Sequence, residues 1–248
     1  MGLWSVAHAK TLLPAVAVML VIALVLRRFL IHKEEKWRIL PLQLIGAMLL
    51  LLEAGKQGIS LYRGYDLYHL PFHFCSLFIF MVPLMAFYRG RHKQNVRAIT
   101  AAITASLFIL MLIYPCLIYS QWDIENYFRD YMAFHTVTFH NLVMLAFLLI
   151  PALELHTPAG KAETKALMWF VAGFCLVSAS MAQILKTNYA NYYTCNIPVF
   201  ETVRQAVQGV AGYAVAQIVY VSIVSVLNFL FVYGAHWAYR GICRLLKK

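Results

Sequence analysis

Seven long apolar runs are the strongest constraint on what this chain can fold into. They cover residues 11–31, 39–62, 67–88, 99–119, 132–153, 167–187 and 208–237. A helix of about 20 apolar residues crosses the hydrocarbon core of a bilayer. A backbone surrounded by lipid must satisfy its own hydrogen bonds, and a run of this length can do so only as a helix. The sequence therefore predicts an all-α membrane protein with seven transmembrane helices.

The composition agrees with a membrane protein that has little soluble structure. Only 12% of the 248 residues are charged and 62% are hydrophobic, whereas globular domains average about 25% charged residues. No internal repeat, low-complexity tract or Pro/Gly/Ser-rich linker divides the runs. We expect a single seven-helix domain over residues 1–248.

The basic residues are distributed unevenly among the connections. Fifteen of the 21 lysines and arginines lie in the C-terminal tail or at the junctions of runs one and two, three and four, and five and six, where the first junction includes Arg27 and Arg28 at the end of run one. The positive-inside rule then predicts an N-terminus outside and a cytoplasmic C-terminus. The net charge of +11 is explained by this bias and by anionic lipid headgroups, so nucleic acid is not an expected partner.

Run two carries a polar helical face in its outer half. Glu53, Lys56, Gln57 and Ser60 are spaced i, i+3, i+4 and i+7, which places them on one side of a helix. Ionisable residues inside a membrane usually mark a functional site. The alternative is a self-satisfied Glu53/Lys56 pair that bridges helices.

Run three begins with the sequence YHLPFHFC, which carries two histidines and a thiol. If Pro71 lies in the first turn of a helix, His69, His73 and Ser76 share one face at i, i+4 and i+7. Cys75 is then about 200° around the helix from His73. We therefore expect Cys75 to be mainly a packing residue.

Further polar residues are predicted at the same side of the membrane. His135 and His140 in run five are about 140° apart on a helix, so at most one is expected to face the bundle centre. Asn188 and Asn191 lie in an Asn/Tyr-rich loop after run six. The inner half is expected to carry almost no such groups, and we predict a polar cavity that opens outward.

Three chemistries fit these residues. A nucleophile with a histidine base could perform acyl transfer. His69 and His73, completed by His135 or His140, could bind zinc for lipid hydrolysis. Glu53 and the histidines could form a proton relay for transport. No CxxC, Walker or HExxH motif is present, so we assign no metal ion or cofactor.

Two of the five cysteines, Cys116 and Cys195, fall near the predicted outer surface. A disulfide between them is conceivable, but spacing does not determine pairing. Cys175 is expected to pack within the membrane, and Cys243 to stay reduced in the cytoplasm.

Four short motifs resemble the YwaF family of bacterial integral membrane proteins. In chain order they are LLLLEAGKQ, LPFHFCSLFIF, FHNLVMLAFLL and NYANYYTCNIP, and together they extend over nearly the whole chain. The resemblance implies a multi-pass protein of a bacterial cytoplasmic membrane. Relatives of that family include a vertebrate acyltransferase that remodels ether phospholipids and is regarded as using a cysteine and a histidine.

If the functional residues of the family's acyltransferase relative are transferred to the matching positions of this sequence, the resemblance makes His140 the catalytic histidine. The PFH triplet corresponds to Pro-Cys-His in the vertebrate relative, so Phe72 stands where that protein has cysteine, and only Cys75 is near enough to substitute.

We expect phospholipid acyl chemistry, either transfer or hydrolysis, on a membrane phospholipid or another acyl lipid. His140 would act as general base and His73 as hydrogen-bond donor to the oxyanion. The residues expected to bind substrate are Glu53, Lys56, His69, His135, Asn188 and Asn191. A small-molecule or proton-coupled transporter and a non-catalytic scaffold are the alternatives.

Overall fold

The computed structural model describes residues 3–158, 160–194 and 198–246, in which every regular element is helical. The helices are α1 (Val6–Leu30), α2 (Glu35–Arg38), α3 (Leu40–Tyr62), α4 (Leu77–Phe87), α5 (Lys93–Ile113), α6 (Gln121–Glu125), α7 (Tyr131–Ala152), α8 (Lys161–Leu185) and α9 (Pro198–Leu246). Short 3-10 turns lie at Leu67–His69, Phe74–Ser76, Pro115–Leu117 and Tyr189–Asn191. Cys195 lies outside the described residues, so the Cys116–Cys195 disulfide stays a prediction.

Helix α5 lies at the centre of the bundle. In its most apolar stretch 67% of the residues are buried, against 17% in α1, and it packs against α4, α7, α8 and α9. Small residues let neighbouring membrane helices approach closely, and α5 supplies them at Ala98, Ala101, Ala102 and Ala105, all of them buried. The outer helices expose apolar side chains instead, as expected of surfaces that contact lipid.

Six helices in the described part of the chain are long and apolar enough to cross a membrane. This confirms the prediction of a polytopic helical membrane protein. The third run differs, because α4 has only 11 residues and is about 16 Å long at 1.5 Å per residue. The hydrocarbon core is about 30 Å thick. A seventh crossing and the orientation therefore stay predictions.

The first part of run three is not helical. Two 3-10 turns are separated by extended backbone at Leu70 and His73. A proline pushes the residue before it out of the helical region, and Leu70 precedes Pro71. The prediction that His69 and His73 share a helix face was therefore wrong, and so was the angular argument about Cys75.

The last run is longer than predicted and contains a break. Helix α9 continues from Pro198 to Leu246, but Gly212 has φ 82° and interrupts the helical geometry. A glycine reaches this conformation without the steric cost that other residues pay. Most side chains between Val199 and Gly212 are exposed, so this first part of α9 contributes little to the core.

Two connections rich in arginine and lysine (residues 31–39 and 88–92) and the connection after α7 (residues 153–158) meet at one end of the bundle. This end, with the adjoining helix ends, is here called the basic end. Three arginines there donate hydrogen bonds to backbone carbonyl groups after or at the end of α7. The pairs are Arg27 with Ala152 (2.6 Å), Arg38 with Leu153 (3.1 Å) and Arg97 with Leu155 (2.8 Å). These bonds satisfy carbonyl groups that a helix C-terminus leaves without intrahelical partners.

The basic end also contains buried ionisable side chains. His156, Glu163 and His236 are all at most 5% exposed. The His156 Nε2 lies 3.8 Å from Glu163 Oε2, and the His156 ring stacks on Tyr239. The expectation that this half carries almost no polar groups was wrong, since His156 follows α7 in a connection that folds back into the protein.

The distribution of basic residues predicts the sidedness of two exposed positions. We expect a membrane-impermeant maleimide to label Arg129→Cys in intact cells, and to label Lys33→Cys only after permeabilisation. Both variants are made in a background without native cysteines, because Cys116 and Cys75 are only half buried. The reverse labelling pattern would overturn the orientation.

The basic end also predicts sensitivity to acid. Burial, together with the charges of Arg97 and His236, lowers the pKa of His156 to about 4. The unfolded chain binds this proton near pH 6.5, whereas the folded protein binds it only near pH 4, so stability falls as the pH drops through that window. We expect His156→Gln to flatten this part of the melting-temperature profile. An unchanged profile would contradict the assignment.

Candidate functional site

The Glu53 carboxylate is the centre of a polar network on α3. Its Oε1 accepts hydrogen bonds from Lys56 Nζ at 2.8 Å and from Gln57 Nε2 at 2.6 Å. Its Oε2 lies 3.4 Å from His135 Nε2 on α7. The Glu53 side chain is 11% exposed and that of Lys56 is 16% exposed. A charged pair this far from water requires such partners.

The same face of α3 binds the chain that follows it. Gln57 Nε2 also donates to the carbonyl oxygen of His69 at 2.9 Å, and Tyr65 donates its hydroxyl to Gln57 Oε1 at 2.8 Å. Ser60 Oγ lies 2.6 Å from His69 Nδ1. Polar side chains on one face of α3 therefore hold the irregular segment at the start of run three beside the Glu53 carboxylate.

Close packing between α3 and α7 brings His135 to Glu53. A Cβ atom at Gly55 would lie 2.1 Å from the Tyr131 hydroxyl oxygen, so only glycine leaves room for this ring. The Tyr131 hydroxyl donates to the Leu52 carbonyl oxygen at 3.0 Å. His135 lies one helical turn further along α7, which sets its ring against the carboxylate.

His140 lies deeper on α7 and is 7% exposed. Its Nδ1 lies 2.6 Å from the Thr136 carbonyl oxygen. Because a carbonyl oxygen only accepts, Nδ1 carries the proton and Nε2 keeps its lone pair. That Nε2 has no hydrogen-bond partner among the residues that the structure describes. His135 and His140 are both buried, but their rings face different neighbours, Glu53 on α3 and Tyr119 after α5 respectively.

His73 lies beside the network and not within it. Its Nε2 lies 3.0 Å from the Tyr68 carbonyl oxygen, and its ring packs between Tyr68 and Tyr189. Burial lowers the pKa of His73, with Lys56 and His69 contributing, while the bond to Tyr68 opposes the shift. The neutral ring donates its N–H to Tyr68, so it has none to offer an oxyanion.

The ammonium group of Lys56 lowers the pKa of both His69 and His73. Burial and then Lys56 lower the pKa of His69, against the opposing charges of Asp66 and Glu53. An ammonium group has three N–H donors, and the bond to Glu53 uses one. Lys56 therefore has N–H donors beyond its bond to Glu53, whereas the N–H of the neutral His73 ring is used on Tyr68.

The remaining predicted site residues have other surroundings. Cys75 is half buried and packs against the apolar core. The Asn188 side chain accepts the backbone N–H groups of Tyr193 and Thr194 and lies 3.4 Å from Asn191 Oδ1. The structure thus brings Glu53, Lys56, His69 and His135 together with His140 nearby, and gives both asparagines contacts within their own loop.

Sequence reasoning also passed over a buried histidine close to His140. His8 on α1 is fully buried, with its Nε2 2.9 Å from the Tyr119 carbonyl oxygen. The Tyr119 ring stacks on His8 and lies 6.4 Å from the His140 ring between centroids. An isolated histidine in an apolar run was the available signal, but nothing in the spacing linked it to residues more than 100 positions away.

The zinc hypothesis depended on the helical spacing of His69 and His73, which the structure replaces with two turns. Across residues 3–158, 160–194 and 198–246, no group of three or more His, Cys, Asp or Glu side chains is arranged to hold a metal ion.

The helical bundle and its buried ionisable network define a polytopic helical membrane protein. A family model described as the TMEM164 family matches residues 3–233, so the chain belongs to that family. Comparisons with curated proteins and with solved structures give no match.

The Glu53–Lys56 pair predicts that single and double substitutions will have non-additive effects on stability. We expect Glu53→Gln or Lys56→Met alone to cost about 3 kcal/mol of stability, since each leaves a buried charge unpaired. The double variant should cost less than the sum of the single changes. The exposed pair of Lys36 with Glu34 is the control, and Lys36→Ala should barely move the melting temperature in detergent. Additive losses at Glu53 and Lys56 would show that the pair is not coupled.

Proposed function

We propose that this protein performs phospholipid acyl chemistry, by transfer or hydrolysis, at the site formed by α3, α7 and the segment after α3. The observation that carries the proposal is the buried His140, whose Nδ1–H is bound to Thr136 and whose Nε2 lone pair is free among the described residues. The resemblance to the YwaF family and its acyltransferase relative supports the same chemistry.

The geometry suits His140 as a general base. Its Nε2 would accept the proton of a water or lipid hydroxyl while that oxygen attacks an ester carbonyl carbon. The carbonyl oxygen then becomes an oxyanion, and the ammonium group of Lys56 supplies the compensating charge. Collapse breaks the original ester bond, and the imidazolium returns its proton to the leaving alkoxide. Water gives hydrolysis, whereas a lipid hydroxyl gives transfer.

The remaining network residues support this reaction by fixing Lys56. Glu53 is bound by Gln57 and faces His135, so it holds the lysine from a rigid position. The substrate is a membrane phospholipid or another acyl lipid, since the surrounding helices are long enough to lie within a bilayer. We place the protein in the cytoplasmic membrane of a bacterium, with seven crossings and this site on the outer side.

A proton-coupled transporter is the second candidate. The observation that favours it is the continuous contact of Lys56, Glu53 and His135, since chains of ionisable residues in membranes carry protons in pumps and transporters. Purified protein in liposomes separates the two candidates. Acyl turnover without a solute or pH gradient supports the enzyme, and gradient-driven uptake without turnover supports the transporter.

Replacement of His140 tests the proposed base. We expect His140→Ala to lower phospholipid acyl turnover at least 100-fold in a reconstituted assay, because general acid–base catalysis contributes about 10²- to 10⁴-fold. His32→Ala, at an exposed histidine of the basic end, is the matched control and should keep wild-type turnover.

Cys75→Ser is the companion variant, and we expect it to keep most of the activity, because the thiol packs against the core. Loss of activity in Cys75→Ser together with full activity in His140→Ala would reject this mechanism.

A further inference from the structure

The first part of α9 (residues 199–211) is a helix with two chemically different faces. Val199, Val203 and Val210 lie within about 40° of one another around the helix axis, at 100° per residue. All three are exposed, and Val210 is 90% exposed. An apolar stripe on one side of an otherwise polar helix is the pattern of an amphipathic helix. The described part of the chain leaves this valine face uncovered.

The opposite face of the same segment is polar. The Glu201 carboxylate accepts two hydrogen bonds from Arg204, at 2.6 and 2.8 Å, and one from Gln205 Nε2 at 3.0 Å. Gln208 continues this face, and both glutamines are exposed. Amide and charged groups are costly to move out of water. The polar face therefore belongs on the aqueous side of any apolar layer that the valines enter.

Hydrogen bonds in the second part of α9 indicate which of its residues cross the membrane. Gln217 Nε2 donates to the carbonyl oxygens of Tyr192 and Tyr193, both at 3.1 Å, in the loop after α8. Toward the basic end, the Tyr239 hydroxyl donates to the His156 carbonyl oxygen after α7. From position 217 to position 239 is 22 residues, or about 33 Å of helix, close to the hydrocarbon thickness of about 30 Å. The first part of α9 therefore lies beyond the crossing, at the end opposite the basic end.

The break at Gly212 separates the amphipathic segment from the crossing. Its φ of 82° interrupts the helical geometry, so the segment need not continue in the direction of the crossing. Val215 and Ile218, directly after the break, are exposed apolar side chains of the crossing helix, as expected of a surface that contacts lipid. The valine face thus adjoins a surface that is already in contact with the bilayer.

We propose that residues 199–211 form an interfacial helix that lies on the membrane surface, with the valine face in the lipid and Gln205 and Gln208 in water. The partner of this surface is the boundary between headgroups and acyl chains, where an amphipathic helix buries its apolar face about 5–10 Å deep. The crossing helix holds the segment at the bilayer surface, so even weak lipid contacts keep it there. This arrangement does not depend on the reaction that the protein performs.

Nitroxide spin labels test the proposal in full-length protein without native cysteines, reconstituted in phosphatidylcholine liposomes. Single labels are placed at Val203→Cys and Val210→Cys on the valine face, and at Gln205→Cys and Gln208→Cys on the polar face. Power saturation compares their collisions with oxygen, which concentrates in lipid, and with a water-soluble nickel chelate. The valine-face labels should collide more with oxygen, and the glutamine-face labels more with nickel.

Two exposed positions calibrate the comparison. A label at Ile218→Cys, on the lipid-facing side of the crossing helix, should give the oxygen-rich pattern. A label at Arg129→Cys, in the turn before α7, should give the nickel-rich pattern. A melting temperature close to that of the wild type shows that each labelled protein is folded.

The contrary results are distinct. Nickel-rich patterns at all four positions would show that the segment projects into water and would overturn the proposal. Labels at Val203→Cys and Val210→Cys that are shielded from both reagents would show that protein covers the valine face, which would also overturn it. Benzoylphenylalanine at Val210, in a chain that keeps its native cysteines, gives a second measurement. It should photocrosslink to phospholipid, and a crosslink only to a second copy of the chain would reject the lipid surface as the partner.

Discussion

The Glu53 carboxylate organises one end of this protein, because a charge within a membrane-spanning helix must find partners or destabilise the fold. It finds them on three elements: Lys56 and Gln57 on its own helix, His135 on α7, and through Gln57 the backbone at His69. Apolar packing in a bilayer gives little preference for one helix arrangement over another, since lipid is as apolar as leucine. Directional polar contacts of this kind supply the preference that packing alone does not.

The opposite end of the bundle, the basic end, is also fixed by directional polar contacts, here hydrogen bonds from arginines to backbone carbonyl groups. Arginines from α1, α2 and α5 bind carbonyl groups where α7 ends, so α7 is held by polar contacts at both of its termini. At its other end Asp130 caps the first turn and pairs with Arg63 at 3.2 Å. The position of His140 along α7 is therefore set by contacts on either side of it, while its Nε2 stays without a partner among the described residues.

The sequence was informative wherever regular periodicity applied and misleading where a proline interrupted it. The helical class, the polar face of α3 and the grouping of the basic connections all followed from spacing and composition. Residues 67–76 did not, because helical spacing was extended through Leu70 and Pro71, where the backbone is extended. Likewise, the contact of His8 with Cys116 joins residues 108 positions apart in sequence. Only the packing of α1 against α6 and α7 brings them together, and no local pattern encodes it.

The histidines at this end of the bundle differ in whether a ring nitrogen is left to accept a proton. His69 and His73 have ring nitrogens committed to Ser60 and Tyr68, so they fix backbone near the site. His8 uses both of its ring nitrogens, since Nε2 is bound to the Tyr119 carbonyl oxygen and Nδ1 lies 2.6 Å from Ser5 Oγ. His140 uses only Nδ1, on the Thr136 carbonyl oxygen, and its Nε2 has no partner among the described residues. A general base needs a lone pair that can accept a proton, so His140 is the one of these four histidines whose ring suits that role.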